Sequence, residues 1–133
     1  MPTFEYQKRT SGVYMPIVLA TIKIQGFDSP FQEFIVDSGC GLSLAPSSCL
    51  AGWGTLPPEV ETPLLDANGR PIQGSPLVVD IQVDALPPIR ERVYFSSRLR
   101  WGLLGQTWFE RVGAHFENFP SADSRWFELF LPP

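Results

Sequence analysis

Short apolar stretches, separated by turn residues at close intervals, run along the whole chain. Residues 13–24 and 31–36 are rich in β-branched and aromatic side chains, and a turn at 25–30 containing Gly and Pro separates them. Four alternate positions of a later segment, 71–83, are apolar: Leu77, Val79, Ile81 and Val83. A period of two is typical of a strand with one buried face. The pattern therefore predicts an early β-hairpin and, further along, a long half-buried strand.

A second hairpin is predicted between 61–65 and 71–83. The connecting residues are Asp66-Ala67-Asn68-Gly69-Arg70. An Asn-Gly step between extended segments favours a tight turn, because both residues tolerate positive φ. We expect this hairpin to project from the fold.

The last third of the chain combines one helix with further strands. Residues 101–105 form an apolar run that ends at a glycine, and residues 106–112 lack Gly and Pro and end before Gly113, as a short helix does. Segments 114–118 and 125–131 are expected to pair. With 14 Pro and 11 Gly in 133 residues, the chain is interrupted too often for long helices. The predicted class is all-β with one short helix near the C-terminus, in a single domain spanning 1–133.

Composition narrows the possible partners. The net charge of −4 does not favour a nucleic-acid backbone or an anionic membrane as the main partner. The apolar segment 13–24 is interrupted by Pro16 and Lys23 and is too short to span a membrane, so no membrane segment is expected. Two cysteines and one histidine cannot complete a structural zinc site of four such ligands, and we expect neither a metal nor another cofactor. The two thiols favour a reducing, cytoplasmic location, either for this chain alone or as a soluble domain of a larger protein.

The main chemical feature is an acid that an apolar strand delivers into a glycine turn, Phe34-Ile35-Val36-Asp37-Ser38-Gly39. An isolated Asp-Ser-Gly is common at turns, since both side chains hydrogen-bond nearby amides. Two further features strengthen the functional interpretation: the exit Ser43-Leu44-Ala45-Pro46, and Leu103-Leu104-Gly105 followed by a helix.

Taken together, these motifs resemble those of the retropepsin-like aspartic proteases, the single-domain homodimeric relatives of pepsin. In that family two apolar residues precede Asp-Thr/Ser-Gly-Ala, and Ser, an apolar residue, Ser and Pro follow after two more positions; here the corresponding run is 35–46. The family's second signature, two apolar residues and Gly before a short helix, is similar to 103–105. The hairpin at 66–70 lies between the two motifs, where the family has its flap. The resemblance covers Met15 to Leu131 and implies a closed retropepsin-like β-barrel with a flap hairpin.

The function implied is that of an aspartic endopeptidase acting on a peptide or protein substrate. Peptide hydrolysis by aspartates needs two carboxyls that share one proton. The chain has one Asp-Ser-Gly, so the resemblance implies a homodimer in which each copy gives one Asp37. The implied catalytic residues are Asp37, Ser38 and Gly39. The implied substrate-binding residues are Cys40, Gly41, Asp66, Ala67, Asn68, Gly69, Leu103 and Leu104.

The family also implies that the terminal segments 3–6 and 126–131 form a sheet shared by the two chains. Viral members often pair an acid two residues after the motif Gly with an Arg after the second motif's Gly. Gly41 and Gln106 stand at those positions here, so that ion pair is missing. Cys40 replaces the usual Ala and brings a thiol beside the carboxylate.

Other interpretations stand beside this one. The alternative function is a catalytically inactive retropepsin-like β-barrel that binds extended peptides or partner proteins. An arginine-rich segment, 90–100, contains aromatic residues suited to nucleic acid, but a solvated barrel edge fits the negative net charge better. The acids Asp80, Asp84 and Glu91 match no calcium loop and are assigned to the surface.

Overall fold

The computed structural model describes residues 3–8, 14–37, 40–66, 68–84, 86–112, 115–118 and 126–130, and their side chains between 16 and 111. The strands are β1 (Thr3–Lys8), β2 (Tyr14–Ile24), β3 (Phe27–Asp28), β4 (Gln32–Val36), β5 (Ser43–Pro46), β6 (Val60–Leu65), β7 (Pro71–Val83), β8 (Ile89–Ser96), β9 (Gly102–Leu104), β10 (His115–Asn118) and β11 (Trp126–Phe130). One α-helix, α1 (Gln106–Val112), and one 3₁₀ turn (Ser47–Leu50) complete the described elements.

Six of these strands close into a barrel. The pairing runs from β2 to β4, β9, β5, β8 and β7, and β7 returns to β2 through registers such as Ala20 with Val83. Closure satisfies the backbone groups that an open sheet would leave at its edges. The predicted all-β class, the closed barrel and the single short helix are confirmed.

The early hairpin and the long alternating strand are also as predicted. Strand β2 pairs antiparallel with β4, with Ile17 opposite Ile35. In β7, Val79, Ile81 and Val83 are buried in the barrel and Leu77 is half-buried at its rim. The period of two therefore marks the inward face correctly.

Helix α1 closes one side of the barrel core. Trp108 is fully buried and packs edge to face against Phe109, with ring centroids 5.1 Å apart. The helix contacts β5, β8 and β9. A seven-residue helix is marginal alone, so the burial of these two rings is what holds it in place.

The terminal strands form a sheet within one chain. Strand β11 pairs with β10 on one edge and with β1 on the other, where Thr3 lies opposite Glu128. Strand β1 continues the sheet by pairing with β2. Both edges of β11 are thus paired within the chain, and a terminal sheet shared between two chains stays a prediction. Within the described residues, no helix has the length and apolar character needed to cross a membrane.

Candidate active site

Asp37 lies where β4 leaves the barrel. The strand runs parallel to β9, with Val36 opposite Leu104, and the next amide, that of Asp37, donates a hydrogen bond of 3.0 Å to the Leu104 carbonyl. The Cys40 amide donates to the Asp37 carbonyl over 3.1 Å, which closes the turn. Both backbone groups of Asp37 are therefore fixed, and its half-buried side chain is held at the end of a barrel strand. Ser38 and Gly39, the other two residues assigned to catalysis, lie outside the described residues.

The second motif, 103–105, lies directly beside this turn. Strand β9 is inserted between β4 and β5, with Leu103 opposite Ile35 on one side and Leu44 on the other. The side chain of Leu104 is fully buried in the core, and that of Leu103 is half-buried. The contact of Leu104 with the Asp37 turn is made by its carbonyl oxygen, which accepts the hydrogen bond from the Asp37 amide.

Gly105 is enclosed by backbone atoms of the loop from Asp37 to Leu42, called the Asp37 loop below. A Cβ atom at this position would overlap the Leu42 carbonyl group and lie 2.7 Å from the Cys40 carbonyl oxygen. The next amide, that of Gln106, donates to that same Cys40 oxygen over 2.6 Å, and the Gly105 amide donates to Ser43 Oγ over 3.2 Å. Only glycine allows so close an approach of two chain segments. The two sequence motifs are thus joined by backbone contacts.

Cys40 is buried beside the candidate carboxylate, with 9% of its surface exposed. Its Sγ donates to the Leu42 carbonyl over 3.1 Å. Burial raises the pKa of the thiol most, a backbone interaction that Leu42 makes to the sulfur as acceptor lowers it, and the negative charge of Asp37 raises it further. A thiol with a raised pKa is a poor nucleophile at neutral pH. Gly41, next in the chain, is exposed, and a Cβ there would meet no atom within 4 Å.

The hairpin β6–β7 is present, with a turn organised differently from the expected Asn-Gly turn. The Asp66 carboxylate accepts hydrogen bonds from the amides of Asn68 (2.8 Å) and Arg70 (3.0 Å), and the Asp66 amide donates to the Arg70 carbonyl. Gly69 has a φ of 77°, which glycine adopts without strain. These bonds lower the pKa of Asp66, the Arg70 amide most, with further help from Asn68 and the positive charges of Arg70 and Arg98. Ala67, also assigned to substrate binding, lies outside the described residues.

Two apolar side chains of β6 are exposed on this hairpin. Val60 is 44% exposed near its base and Leu65 is 62% exposed next to the turn. At the base, Glu59 accepts from the Ser97 amide over 3.1 Å, which ties the hairpin to the segment that precedes β9. The hairpin therefore has an anchored base and an exposed apolar side chain, Leu65, next to its polar turn.

Glu91, which the sequence analysis assigned to the surface, is buried, and that assignment is wrong. It is 2% exposed and lies on the inward face of β8 with Val93 and Phe95, while Arg90 and Arg92 point outward. Asp80 and Asp84, by contrast, are not buried. Asp80 forms a 3.0 Å ion pair with Arg90. The strand alternation from Val93 backwards was the signal that could have identified Glu91 as inward-facing.

No group of three or more His, Cys, Asp or Glu side chains capable of holding a metal occurs within the part of the chain that the structure describes. A cavity of about 570 Å³ lies at the far end of β2 from the Asp37 turn and is lined in part by Lys23, Trp53 and Leu77.

Comparison with known proteins supports the fold assignment. No protein-family model and no curated protein matches the sequence. Among solved structures, a retropepsin-like aspartic protease from Rickettsia conorii is similar with a TM-score of 0.54 and 18% identity, over 96% of this chain and 89% of that one. A foamy viral protease-reverse transcriptase in complex with double-stranded DNA gives a TM-score of 0.47 and 12% identity, over 71% of this chain and 15% of that one. The fold of this chain is retropepsin-like.

Proposed function

We propose that this chain is an aspartic endopeptidase and that the Asp37 carboxyls of two copies form its catalytic pair. The observation that carries the proposal is the position of Asp37 in a retropepsin-like barrel. It lies at the end of β4, with its amide bonded to Leu104 of the parallel strand β9. In this proposal Ser38 and Gly39 complete the catalytic loop.

The chemistry follows from two carboxyls at hydrogen-bond distance. Because two like charges so close are costly, the pair holds a single negative charge over a range of pH. The ionised carboxyl takes a proton from a water molecule, and the protonated one polarises the peptide carbonyl that the water attacks. Each chain has one Asp-Ser-Gly, so the second carboxyl comes from a second copy about a twofold axis.

The proposed substrate is an extended segment of a peptide or protein. In this proposal the β6–β7 hairpin lies over the substrate, with Asn68 and Gly69 at its turn, and gives strand-like backbone hydrogen bonds. The exposed side chains of Val60 and Leu65 support this role, because they offer apolar surface to a bound peptide. Cys40, Gly41 and Leu103 are proposed to border the same groove.

Replacing Asp37 by Asn tests the catalytic role. The substitution keeps the size of the side chain and removes the shared proton, so cleavage of a mixture of unstructured peptides should fall by at least about 10²-fold. Asp84→Asn is the matched control, because Asp84 is exposed and its φ of 48° suits Asn as well as Asp. Equal cleavage by Asp37→Asn and the wild type would exclude Asp37 as a catalytic residue.

Mixing the two proteins tests whether two chains share one site. If they do, an excess of Asp37→Asn chains should lower the activity of a fixed amount of wild type, since mixed dimers hold one carboxyl. Sedimentation of the same samples should show a dimer. Wild-type activity that does not change when Asp37→Asn is added would show that each chain acts alone. Binding of peptides without cleavage by any sample would instead support the inactive-barrel alternative.

A further inference from the structure

A buried polar cluster lies behind the Gly105 turn, between β8 and α1. Glu91 is 2% exposed, and neither of its carboxyl oxygens makes a hydrogen bond of good geometry. The hydroxyl of Thr107 is buried and unbonded in the same way. Buried polar atoms are costly unless they have partners, so a carboxyl here is expected to have a role that a hydrophobic side chain lacks.

Ser43 connects this cluster to the candidate active site. Its Oγ accepts the hydrogen bond from the Gly105 amide over 3.2 Å. That bond uses a lone pair and leaves the hydroxyl proton free to be donated. Ser43 lies opposite Val93 in the pairing of β5 with β8, and Glu91 is two residues before Val93 on the same inward face of β8. This register puts the Glu91 carboxyl on the Ser43 side of β8, where a small adjustment would let it accept the Ser43 proton.

We infer that Glu91 is a positioning residue for the Asp37 loop and that it acts through the Ser43 hydroxyl. By accepting the Ser43 proton, Glu91 turns the lone pairs of Oγ toward the Gly105 amide. Gly105 and Gln106 in turn contact the carbonyl of Cys40, at the end of the Asp37 turn. The effect on turnover rests on the proposed function, whereas the effect on the loop does not.

The surroundings of Glu91 favour its neutral form. Burial raises the pKa of Glu91, and the hydroxyls of Thr107 and Ser43 and the charge of Arg111 oppose that shift only partly. A protonated carboxyl can accept from Ser43 through one oxygen and donate to Thr107 through the other. Both hydroxyls then have a partner without a buried charge.

Among the side chains that the structure describes, few charged groups face this carboxyl. Helix α1 contributes two charged residues, Arg111 and the exposed Glu110. A cavity of about 420 Å³ is lined in part by Arg111, Glu91, Arg90 and Arg92. Strand β7 places Val79 opposite Glu91, and β5 contributes Ser43. Arg90 and Arg92 extend from the outward face of β8. Arg111 is thus the one charge among these that influences the carboxyl.

Amide hydrogen exchange at Gly105 and Gln106 tests the inference directly. Glu91→Leu should speed exchange of the Gly105 amide roughly tenfold, because Ser43 loses the acceptor that orients it and the Gly105 amide is then less protected. Glu91→Gln should stay within about threefold of wild type, since its amide oxygen still accepts from Ser43. Ser43→Ala should resemble Glu91→Leu. Glu110→Gln, an exposed change on the same helix, is the control and should have no effect.

Activity provides the second measurement. In an active enzyme, Glu91→Leu should lower kcat about tenfold at its pH optimum with little change in KM, and Glu91→Gln should restore it. Unchanged Gly105 exchange in Glu91→Leu overturns the inference, whatever the activity. If the wild type cleaves no peptide, the protease proposal is refuted, and the exchange of the Gly105 amide alone then decides whether Glu91 positions the loop. If Glu91→Leu does not fold, Glu91→Met takes its place, and unchanged exchange in that variant also overturns the inference.

Discussion

Gly105 offers the sharpest test of how the candidate site is built. Replacing it by Ala adds one methyl group between two backbone segments. That Cβ would overlap the Leu42 carbonyl group and lie 2.7 Å from the Cys40 carbonyl oxygen. Backbone atoms cannot rotate away as a flexible side chain can, so the Asp37 loop must move.

The cost can be worked from the bonds that depend on this approach. Overpacking of this kind costs about 1–3 kcal/mol. Moving the loop also weakens the Gly105 bond to Ser43 and the Gln106 bond to Cys40, each worth about 1 kcal/mol. We therefore expect Gly105→Ala to lower the free energy of unfolding by about 2–4 kcal/mol, with a fall in Tm of roughly 10 °C.

Urea unfolding of Gly105→Ala and Gly41→Ala measures this difference. Both changes add one methyl group, and Gly41 lies in the same loop, but a Cβ at Gly41 meets nothing within 4 Å. Gly41→Ala should therefore stay within about 0.5 kcal/mol of wild type, or become slightly more stable as the unfolded chain loses freedom. Equal stabilities of the two variants would refute the conclusion that Gly105 is enclosed by the loop backbone.

Three further predictions follow from the titrating groups. The free energy of unfolding should fall as pH rises from 4.5, the ordinary pKa of Glu, through the raised pKa of Glu91, because the unfolded state releases its proton first. Thermal unfolding of Glu91→Gln should lack this pH-dependent loss of stability, and the same pH dependence in the variant and the wild type would contradict the prediction. Iodoacetamide should modify Cys40 slowly at pH 7 and Cys49, whose pKa is about 11, more slowly still, as mass spectrometry can show; rapid modification of Cys49 would contradict its burial. Asp66→Ala should speed hydrogen exchange of the Asn68 amide, which loses its carboxylate acceptor. In the wild type the same faster exchange should appear only as pH falls through the lowered pKa of Asp66. Unchanged exchange of the Asn68 amide in the variant would exclude the carboxylate as the group that organises the turn.

The barrel strands could be predicted from the sequence because each buries one face. Alternation in 71–83 and the apolar segments 13–24 and 31–36 depend on local pattern alone, and the structure matches them. The pairing of β4 with β9 could not be read from pattern, because it joins residues far apart in the chain through backbone groups that every sequence has. Only the resemblance of 35–46 and 103–105 to two family motifs indicated that the two segments meet.

Two local features were hidden for different physical reasons. The turn at 66–70 was predicted from Asn-Gly, whereas the Asp66 carboxylate organises it, and a side chain that caps its own turn competes with the backbone preferences of its neighbours. Glu91 lies between two arginines, and a charged run of three residues is typical of a surface. The alternation that continues into Val93 and Phe95 determines its direction instead.

The pairing of β1 with β11 has a consequence for the order of folding. Thr3 and Glu128 are neighbours in the sheet although nearly the whole chain separates them. Closing so long a loop costs roughly 4 kcal/mol in chain entropy, and contacts of this range slow folding. The β7–β8 and β2–β4 hairpins close much shorter loops, so we expect them to form early and the terminal strands to join last. Substitutions in β11 should accordingly speed unfolding and leave the folding rate nearly unchanged, whereas those in β7 should slow folding.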